Sequence, residues 1–177
     1  TRINNPTIES FERRMTKLEG GIGSVAASSG MAALHNALMN ILRNGDHIVA
    51  AAGLYGGTVE LLEDLQAYGI RTTYVKENSP AAFQEAILPE TRAVFAETIG
   101  NPKLDVTDIR GVAEVAHKNG IPFLIDNTVA TPYLVNPLKL GADVVIHSSS
   151  KYINGSSDAI SGILISGGSF KWDKEKY

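Results

Sequence analysis

The sequence predicts an α/β fold in which a mostly parallel sheet is covered by helices on both faces. Short apolar runs bounded by turn residues alternate with segments of helical periodicity along the chain. Strands separated by helices of about ten residues are typical of βαβ units. The 177 residues, 44% hydrophobic and 20% charged, suffice for one substantial core and are too few for two. We therefore expect a single compact α/β unit.

The first helix is predicted within NPTIESFERRMTKLEGG. Thr7 or Asn5 can cap its start, and Gly20-Gly21 ends it. Four apolar residues fall on one helical face: Ile8, Phe11, Met15 and Leu18.

Four further helices are predicted from periodicity and capping residues. They are the segment SSGMAALHNALMNILRNGD, residues 58–68, a short helix opened by Ser79-Pro80, and residues 108–119 with Thr107 as the cap. The remaining apolar runs are predicted strands: SVAA, HIVAA, RTTYV, RAVFAET, PFLIDN, DVVIHS and GILIS.

Composition argues against several classes of protein. A net charge of -3, with scattered basic residues, offers no field for a nucleic acid backbone. Without cysteine the chain has no disulfide and no thiolate metal site, and its four histidines show no paired metal spacing. Its apolar runs are far shorter than the roughly 20 residues of a membrane-spanning helix. We expect a soluble, cytoplasmic protein with no metal, membrane or nucleic acid partner.

Ligands of such sheets bind at the carboxyl ends of the strands, and polar motifs stand at several of these predicted ends. After SVAA, Ser29, Gly30 and Met31 open a helix, whose free amides and hydroxyl can cradle a phosphate. An ordinary helix cap explains the same motif. After HIVAA, Tyr55 lies in a glycine turn, where its ring can pack in the core or stack on a planar ligand.

Three more predicted strand ends carry functional groups. Asn101 follows RAVFAET, just before a proline, and Asp126 ends PFLID, where an aspartate is often only a cap. Lys151 follows three serines after DVVIH, and alone it would be interpreted as a surface lysine. Taken together, an amine for a Schiff base, a carboxylate for a pyridinium nitrogen and a phosphate cradle predict a site for pyridoxal 5'-phosphate.

Five motifs in the same order resemble the cysteine and methionine metabolism family of pyridoxal phosphate enzymes: SSGMAA, LYGGT, ETIGNP, DNTVATPYL and HSSSKY. The family includes cystathionine synthases and lyases, methionine γ-lyase and O-acetylhomoserine sulfhydrylase. The resemblance implies a large cofactor-binding domain of the fold-type I kind, a three-layer α/β/α arrangement. It also implies a homo-oligomer, a dimer of dimers, with active sites shared between subunits.

The resemblance assigns roles to individual residues. Lys151 would form the Schiff base, Asp126 would hold the pyridine nitrogen, and Tyr55 would stack on the ring and assist the leaving group. Arg2 would reach the phosphate of the neighbouring subunit. The implied cofactor-binding residues are Arg2, Ser29, Gly30, Met31, Tyr55, Asn101, Asp126, Thr128, Ser148, Ser150 and Lys151.

Within the family, LYGGT and ETIGNP are most similar to the O-acetylhomoserine sulfhydrylases. This similarity implies γ-replacement on an O-acylhomoserine, with transfer of the aminocarboxypropyl group to sulfide or another sulfur donor. Met31 is commoner in the synthases and lyases, and GSSD at 155–158 departs from the family's glycine-histidine-glycine stretch. Cystathionine γ-synthase, cystathionine lyase and methionine γ-lyase activities therefore stay open.

The length allows an interpretation of another class. Both ends are expected to be truncated, and the C-terminal domain that grips the substrate carboxylate has no counterpart in these residues. The chain would then be a folded fragment that at most binds the cofactor. A dinucleotide-binding module based on GGIGS is weaker, because that stretch lacks the fingerprint spacing and precedes a strand.

Overall fold

The computed structural model describes residues 5–172 and 176–177. The helices are α1 (Pro6–Glu19), α2 (Gly30–Ile41), α3 (Gly56–Asp64), α4 (Pro80–Ala86), α5 (Ile109–Lys118) and α6 (Thr131–Leu134), with short 3-10 helices at Leu65–Tyr68 and Pro137–Leu140. The strands are β1 (Gly23–Ala27), β2 (His47–Ala50), β3 (Arg71–Tyr74), β4 (Thr91–Glu97), β5 (Phe123–Asp126), β6 (Val144–His147) and β7 (Gly162–Ser166). All seven predicted strands and five predicted helices are present in this part of the chain.

The strands form one sheet in the order β1-β7-β6-β5-β4-β2-β3. Neighbouring strands from β3 to β6 are parallel, whereas β7 runs antiparallel to both β6 and β1. Strands β1 to β6 therefore point in one direction, and their carboxyl ends lie at one edge. The prediction of a mostly parallel sheet is confirmed.

Helices cover both faces of this sheet. Every residue of β2 and β6 is buried, and successive side chains of a strand point to opposite faces. Helices α1 and α2 pack beside β1 and β7, while α4 and α5 contact β2 and β5. The core consists mainly of aliphatic residues from both the strands and the helices, with Phe83, Phe95 and Phe123.

The ends of α1 follow the predicted signals. Asn5 is the residue that caps this helix, because its side chain accepts hydrogen bonds from the amides of Thr7 and Ile8, at 2.9 and 3.4 Å. Pro6 begins the helix, and Gly20 ends it in the left-handed conformation with φ 76°.

One predicted cap is wrong. Asp108 caps α5 by accepting a hydrogen bond from the Gly111 amide at 3.1 Å. Thr107 is instead held to the end of β4, because its hydroxyl donates to the Glu97 carbonyl at 2.7 Å and its amide donates to the Thr98 carbonyl at 3.2 Å. The long-range contact with β4 thus displaces the cap by one residue.

A buried polar cluster joins α1 to the edge of the sheet where the carboxyl ends of β5 and β6 lie. Glu19 and His147 are both 0% exposed. The Oε1 atom of Glu19 accepts hydrogen bonds from Nε2 of His147 at 2.7 Å and from the side-chain amide of Asn127 at 2.8 Å. One carboxylate therefore connects the last residue of α1 to the ends of β5 and β6.

Among residues 5–172 and 176–177, no helix combines the length and the apolar character that crossing a membrane requires.

We expect Glu19→Ala to lower the free energy of unfolding by about 3 kcal/mol, because it leaves two buried donors without an acceptor. Glu60 is exposed on α3, so Glu60→Ala is the matched control and should change stability by less than about 0.5 kcal/mol. Urea denaturation measures both values. Equal effects of the two substitutions would show that the buried cluster does not stabilise the fold.

Candidate active site

The predicted site residues follow the carboxyl ends of β1, β2, β4, β5 and β6, which meet at one edge of the sheet. The segment from Ser29 to Met31 follows β1, and Ser148 to Lys151 follow β6. Asp126 is the last residue of β5, the central strand of the seven. The sequence-based prediction that these groups share an edge thus agrees with the topology, while their roles in binding remain predictions.

The start of α2 forms a candidate anion cradle. Ser29 caps the helix, and its hydroxyl accepts a hydrogen bond from the Ala32 amide at 3.0 Å. The amides of Gly30 and Met31 belong to the first turn, where no preceding carbonyl of the helix can accept from them. They are therefore available to an anion at the positive end of the helix dipole.

Close backbone packing brings this cradle against β6 and β7. A Cβ atom on Gly30 would lie 2.5 Å from Cβ of Ser148, and one on Gly162 would lie 2.0 Å from the Ser29 carbonyl oxygen. Only glycine fits at both positions. Gly162 was not singled out in the sequence, because a glycine at the start of a strand carries no motif by itself.

A hydrogen-bond chain links Ser148 to Asp126. The Ser148 amide donates to the Thr128 hydroxyl oxygen at 2.8 Å, and the Thr128 side chain is in turn hydrogen-bonded to the Asp126 carboxylate. The Thr128 amide also donates to Oδ1 of Asp126 at 2.8 Å. Thr128 therefore connects the lysine-bearing segment to the carboxylate.

The electrostatic environment of Asp126 suits a cationic partner. Burial raises the pKa of this carboxyl group. Hydrogen bonds from Thr128 oppose the increase, and so does electrostatic attraction to the nearby His147. Among the described residues, no lysine or arginine forms a salt bridge with Asp126. A protonated ring nitrogen would supply the missing positive charge.

Lys151 lies in an exposed turn directly after Ser148 to Ser150. Its amide donates to the Ser148 carbonyl at 3.2 Å, and its carbonyl accepts from the Gly155 amide at 2.8 Å. The backbone of the turn is thus fixed, and Lys151 follows β6, the strand that pairs with β5 and Asp126.

The Ser150 hydroxyl is engaged with a neighbouring segment. It donates to the Ser161 carbonyl at 3.1 Å and accepts from the Ser161 amide at 2.9 Å. A hydroxyl has a single hydrogen to donate, so Ser150 can donate to a phosphate only after releasing Ser161. Among the described residues, the Ser148 hydroxyl has no such hydrogen bond, so it is the better candidate to donate to a phosphate.

Tyr55 and Asn101 border the site on the side of β2 and β4. The Tyr55 side chain is 51% exposed, and its ring lies over Gly57, where an added Cβ would be 2.7 Å from Cε1 of the tyrosine. Asn101 is exposed and joined to Pro102 by a cis peptide bond. Both side chains therefore face solvent at this edge rather than the core.

Glu97 lies at the same edge of the sheet and was not predicted from the sequence. It ends β4, is 7% exposed and pairs with Asp126 in the parallel register. Its Oε1 accepts from the Tyr55 amide at 2.7 Å, and the Asn101 amide also donates to it. The pKa of Glu97 is raised to about 7, mainly by burial and to a lesser degree by the adjacent Asp126 charge, while the amides of Tyr55 and Asn101 oppose the increase.

Arg2 is outside the described residues. A cavity of about 500 Å³ lies between α1 and the turn after Lys151, lined by Phe11, Tyr133 and Tyr152 among others. It contains none of the predicted site residues.

The chain belongs to the Cys/Met metabolism PLP-dependent enzyme family, whose model matches residues 1–177. The family assignment made from the five motifs is confirmed.

Curated relatives share substantial identity with the chain. An O-acetyl-L-homoserine sulfhydrylase of Corynebacterium glutamicum is 49% identical over 178 residues, covering 99% of this chain and 41% of the relative. An L-methionine gamma-lyase of Porphyromonas gingivalis is 42% identical over 167 residues, covering 93% of this chain and 42% of the relative. The chain thus spans about two fifths of the length of these relatives.

A solved structure shares the fold. The crystal structure of a putative O-acetylhomoserine (thiol)-lyase from Campylobacter jejuni, which contains N'-pyridoxyl-lysine-5'-monophosphate, matches with a TM-score of 0.92 and 36% identity. The match covers 96% of this chain and 42% of that one. The fold is therefore that of a fold-type I pyridoxal phosphate enzyme.

Glu97 predicts a measurable pH dependence of stability. Because its folded pKa of about 7 lies above the ordinary value of 4.5, the protonated form favours folding. This contribution is fully present below about pH 4.5 and is lost as the pH rises through about 7. The side chain of Glu97→Gln is uncharged at every pH. As the pH rises through this range, we expect the free energy of unfolding of this variant to increase relative to that of the parent by up to about 3 kcal/mol.

Urea denaturation of the cofactor-free protein between about pH 5 and about pH 8 measures this difference. Glu85 is exposed on α4, so Glu85→Gln is the control. The free energy of unfolding of this variant should differ from that of the parent by the same amount at each pH. A constant difference for Glu97→Gln as well would mean that Glu97 does not take up a proton on folding.

Proposed function

We propose that this edge of the sheet binds pyridoxal 5'-phosphate and that the protein uses it in amino acid chemistry. The observation that carries the proposal is the hydrogen-bond chain from Ser148 through Thr128 to Asp126. Through this chain, the segment bearing Lys151 lies beside a partly buried carboxylate, next to a helix start that offers free amides. Family membership supports the same cofactor.

The residues present fit the chemical groups of this cofactor. The amides of Gly30 and Met31 with the hydroxyl of Ser148 would hold the phosphate, and Ser29 would keep the helix start in place. Ser150 would join them on releasing Ser161. When bound, pyridoxal phosphate supplies a ring that accepts electrons as an amino acid loses its Cα proton.

The protein's own groups hold and move protons. Asp126 would keep a proton on the ring nitrogen, because its partly buried negative charge favours that cation. The amine of Lys151 would attach the cofactor and, once released by the substrate amine, act as a base at Cα. Tyr55 would cover the ring face and assist the leaving group, and Asn101 would lie near the phenolic oxygen.

For the substrate, we propose an O-acylhomoserine whose aminocarboxypropyl group is transferred to sulfide or another sulfur donor. The identity of 49% with an O-acetyl-L-homoserine sulfhydrylase supports this reaction. Lysis of a carbon-sulfur bond is the second candidate, supported by the 42% identity with a methionine gamma-lyase and by Met31. Product analysis with O-acetylhomoserine and sulfide, against methionine alone, separates the two.

We also propose that residues 1–177 form the large cofactor-binding domain of a cytoplasmic homo-oligomer, a dimer of dimers. In such an assembly Arg2 would act on the phosphate of the neighbouring subunit. The share of its relatives that the chain covers, about 41%, supports the domain assignment. Size-exclusion chromatography with light scattering tests the oligomeric state.

Lys151 provides the direct test of cofactor binding. We expect the parent protein with added pyridoxal phosphate to show a visible absorption band and to retain the cofactor covalently after borohydride reduction. Lys151→Ala should lose the covalent attachment at residue 151, as located by peptide mapping, since that position no longer carries an amine to form the bond. Lys118→Ala, at the exposed end of α5, should behave as the parent does. A parent that takes up no cofactor would refute the proposed function.

Two neighbouring glycines test the role of the Tyr55 ring. An added Cβ on Gly57 would lie 2.7 Å from Cε1 of Tyr55, whereas one on Gly56 meets no atom within 4 Å. We therefore expect Gly57→Ala to displace the ring and to weaken cofactor binding by about tenfold, a value typical of a lost aromatic contact. Gly56→Ala is the matched control, with little change expected. Absorbance titration measures both, and equal affinities would exclude ring stacking by Tyr55.

A further inference from the structure

Glu97 is a buried carboxylate to which the roles above assign no task. Its Oε1 atom accepts the Tyr55 amide at 2.7 Å, and the Asn101 amide donates to the same carboxylate. Tyr55 follows β2 and Asn101 follows β4, so the two amides come from different segments of the chain. A single side chain thus fixes the backbone of both residues.

The two segments also contact each other directly. A Cβ atom on Gly100 would lie 2.5 Å from the carbonyl oxygen of Gly53, so the backbones pack without room for a side chain. The Gly100 amide in turn donates to the Asp105 carbonyl at 2.9 Å. Glu97 therefore lies beneath a junction of two turns whose outer side chains are exposed at the candidate site.

We propose that Glu97 is a positioning residue of the cofactor site, which holds the backbone of Tyr55 and Asn101 where their side chains reach the bound ring. The inference rests on the proposed function. A strand-end carboxylate suits the task, because β4 is a largely buried strand and the carboxyl oxygens of Glu97 can accept from both amides. The essential property is then a correctly placed acceptor.

Three substitutions separate position from charge. Glu97→Gln removes the charge but keeps one acceptor oxygen at the same reach, and the two lone pairs of that oxygen can accept both amides. Glu97→Asp keeps the charge but withdraws it by about 1.5 Å, the length of one carbon-carbon bond. Glu97→Ala removes the acceptor altogether. We expect the alanine and aspartate variants to weaken pyridoxal phosphate binding about tenfold, and the glutamine variant to remain within about threefold of the parent.

A double-mutant cycle shows whether Glu97 acts through Tyr55. In a Tyr55→Leu background the ring is absent, so Glu97→Ala or Glu97→Asp should cost less than about threefold in affinity. A residue that only stabilises the fold would give the same fold-change in both backgrounds. If the alanine variant does not fold, the aspartate variant carries the cycle. Glu85→Ala is the control and should leave binding unchanged.

The outcomes are distinguishable from failure of the proposed function. Equal costs in the two backgrounds, or an aspartate variant that binds like the parent while glutamine does not, overturn the positioning role and leave the cofactor assignment intact. A parent protein that binds no pyridoxal phosphate overturns both. The proposal is supported if the alanine and aspartate variants bind more weakly than the parent, the glutamine variant binds nearly as well, and these differences shrink when the Tyr55 ring is absent.

Discussion

The parallel register of β4, β5 and β6 is the constraint on which the site depends. Glu97 pairs with Asp126, and Asp126 pairs with Ile146, so His147 follows at the next position. Because side chains alternate between faces along a strand, a slip of one residue would turn each of these groups to the opposite face. Buried apolar residues on both faces of the central strands oppose such a slip, and the core thereby fixes the functional edge.

Burial has a cost that local hydrogen bonds offset. The carboxyl groups of Glu97 and Asp126 lie beside each other, and burial raises the pKa of both. Backbone amides and the Thr128 side chain stabilise the charged forms by donating to them. Glu19 also stabilises this edge of the sheet, because it accepts hydrogen bonds from residues at the ends of β5 and β6. The same donors that lower the cost of these charges also fix the loops around them.

Local signals were sufficient for the seven strands, for helices α1 to α5 and for several polar residues at strand ends, whereas the short helix α6 was not predicted. Asn5 and Gly20 end α1 through contacts within a few residues, which periodicity and capping rules describe well. Lys151 and Asp126 stood out because polar groups directly followed apolar runs. Thr107 was misassigned as a cap because its hydroxyl bonds to Glu97 across ten residues of sequence.

The sequence by itself determined the α/β class, the order of the elements, the polar groups at the strand ends and the family to which the five motifs belong. These follow from short-range periodicity and from residue types in fixed order. Only the tertiary structure decided that β7 runs antiparallel, that Gly30 packs on Ser148, and that Glu97 binds the amides of Tyr55 and Asn101. Apart from Glu97 and Asn101, those contacts join residues far apart in sequence, and strand pairing, rather than any local pattern, brings them together.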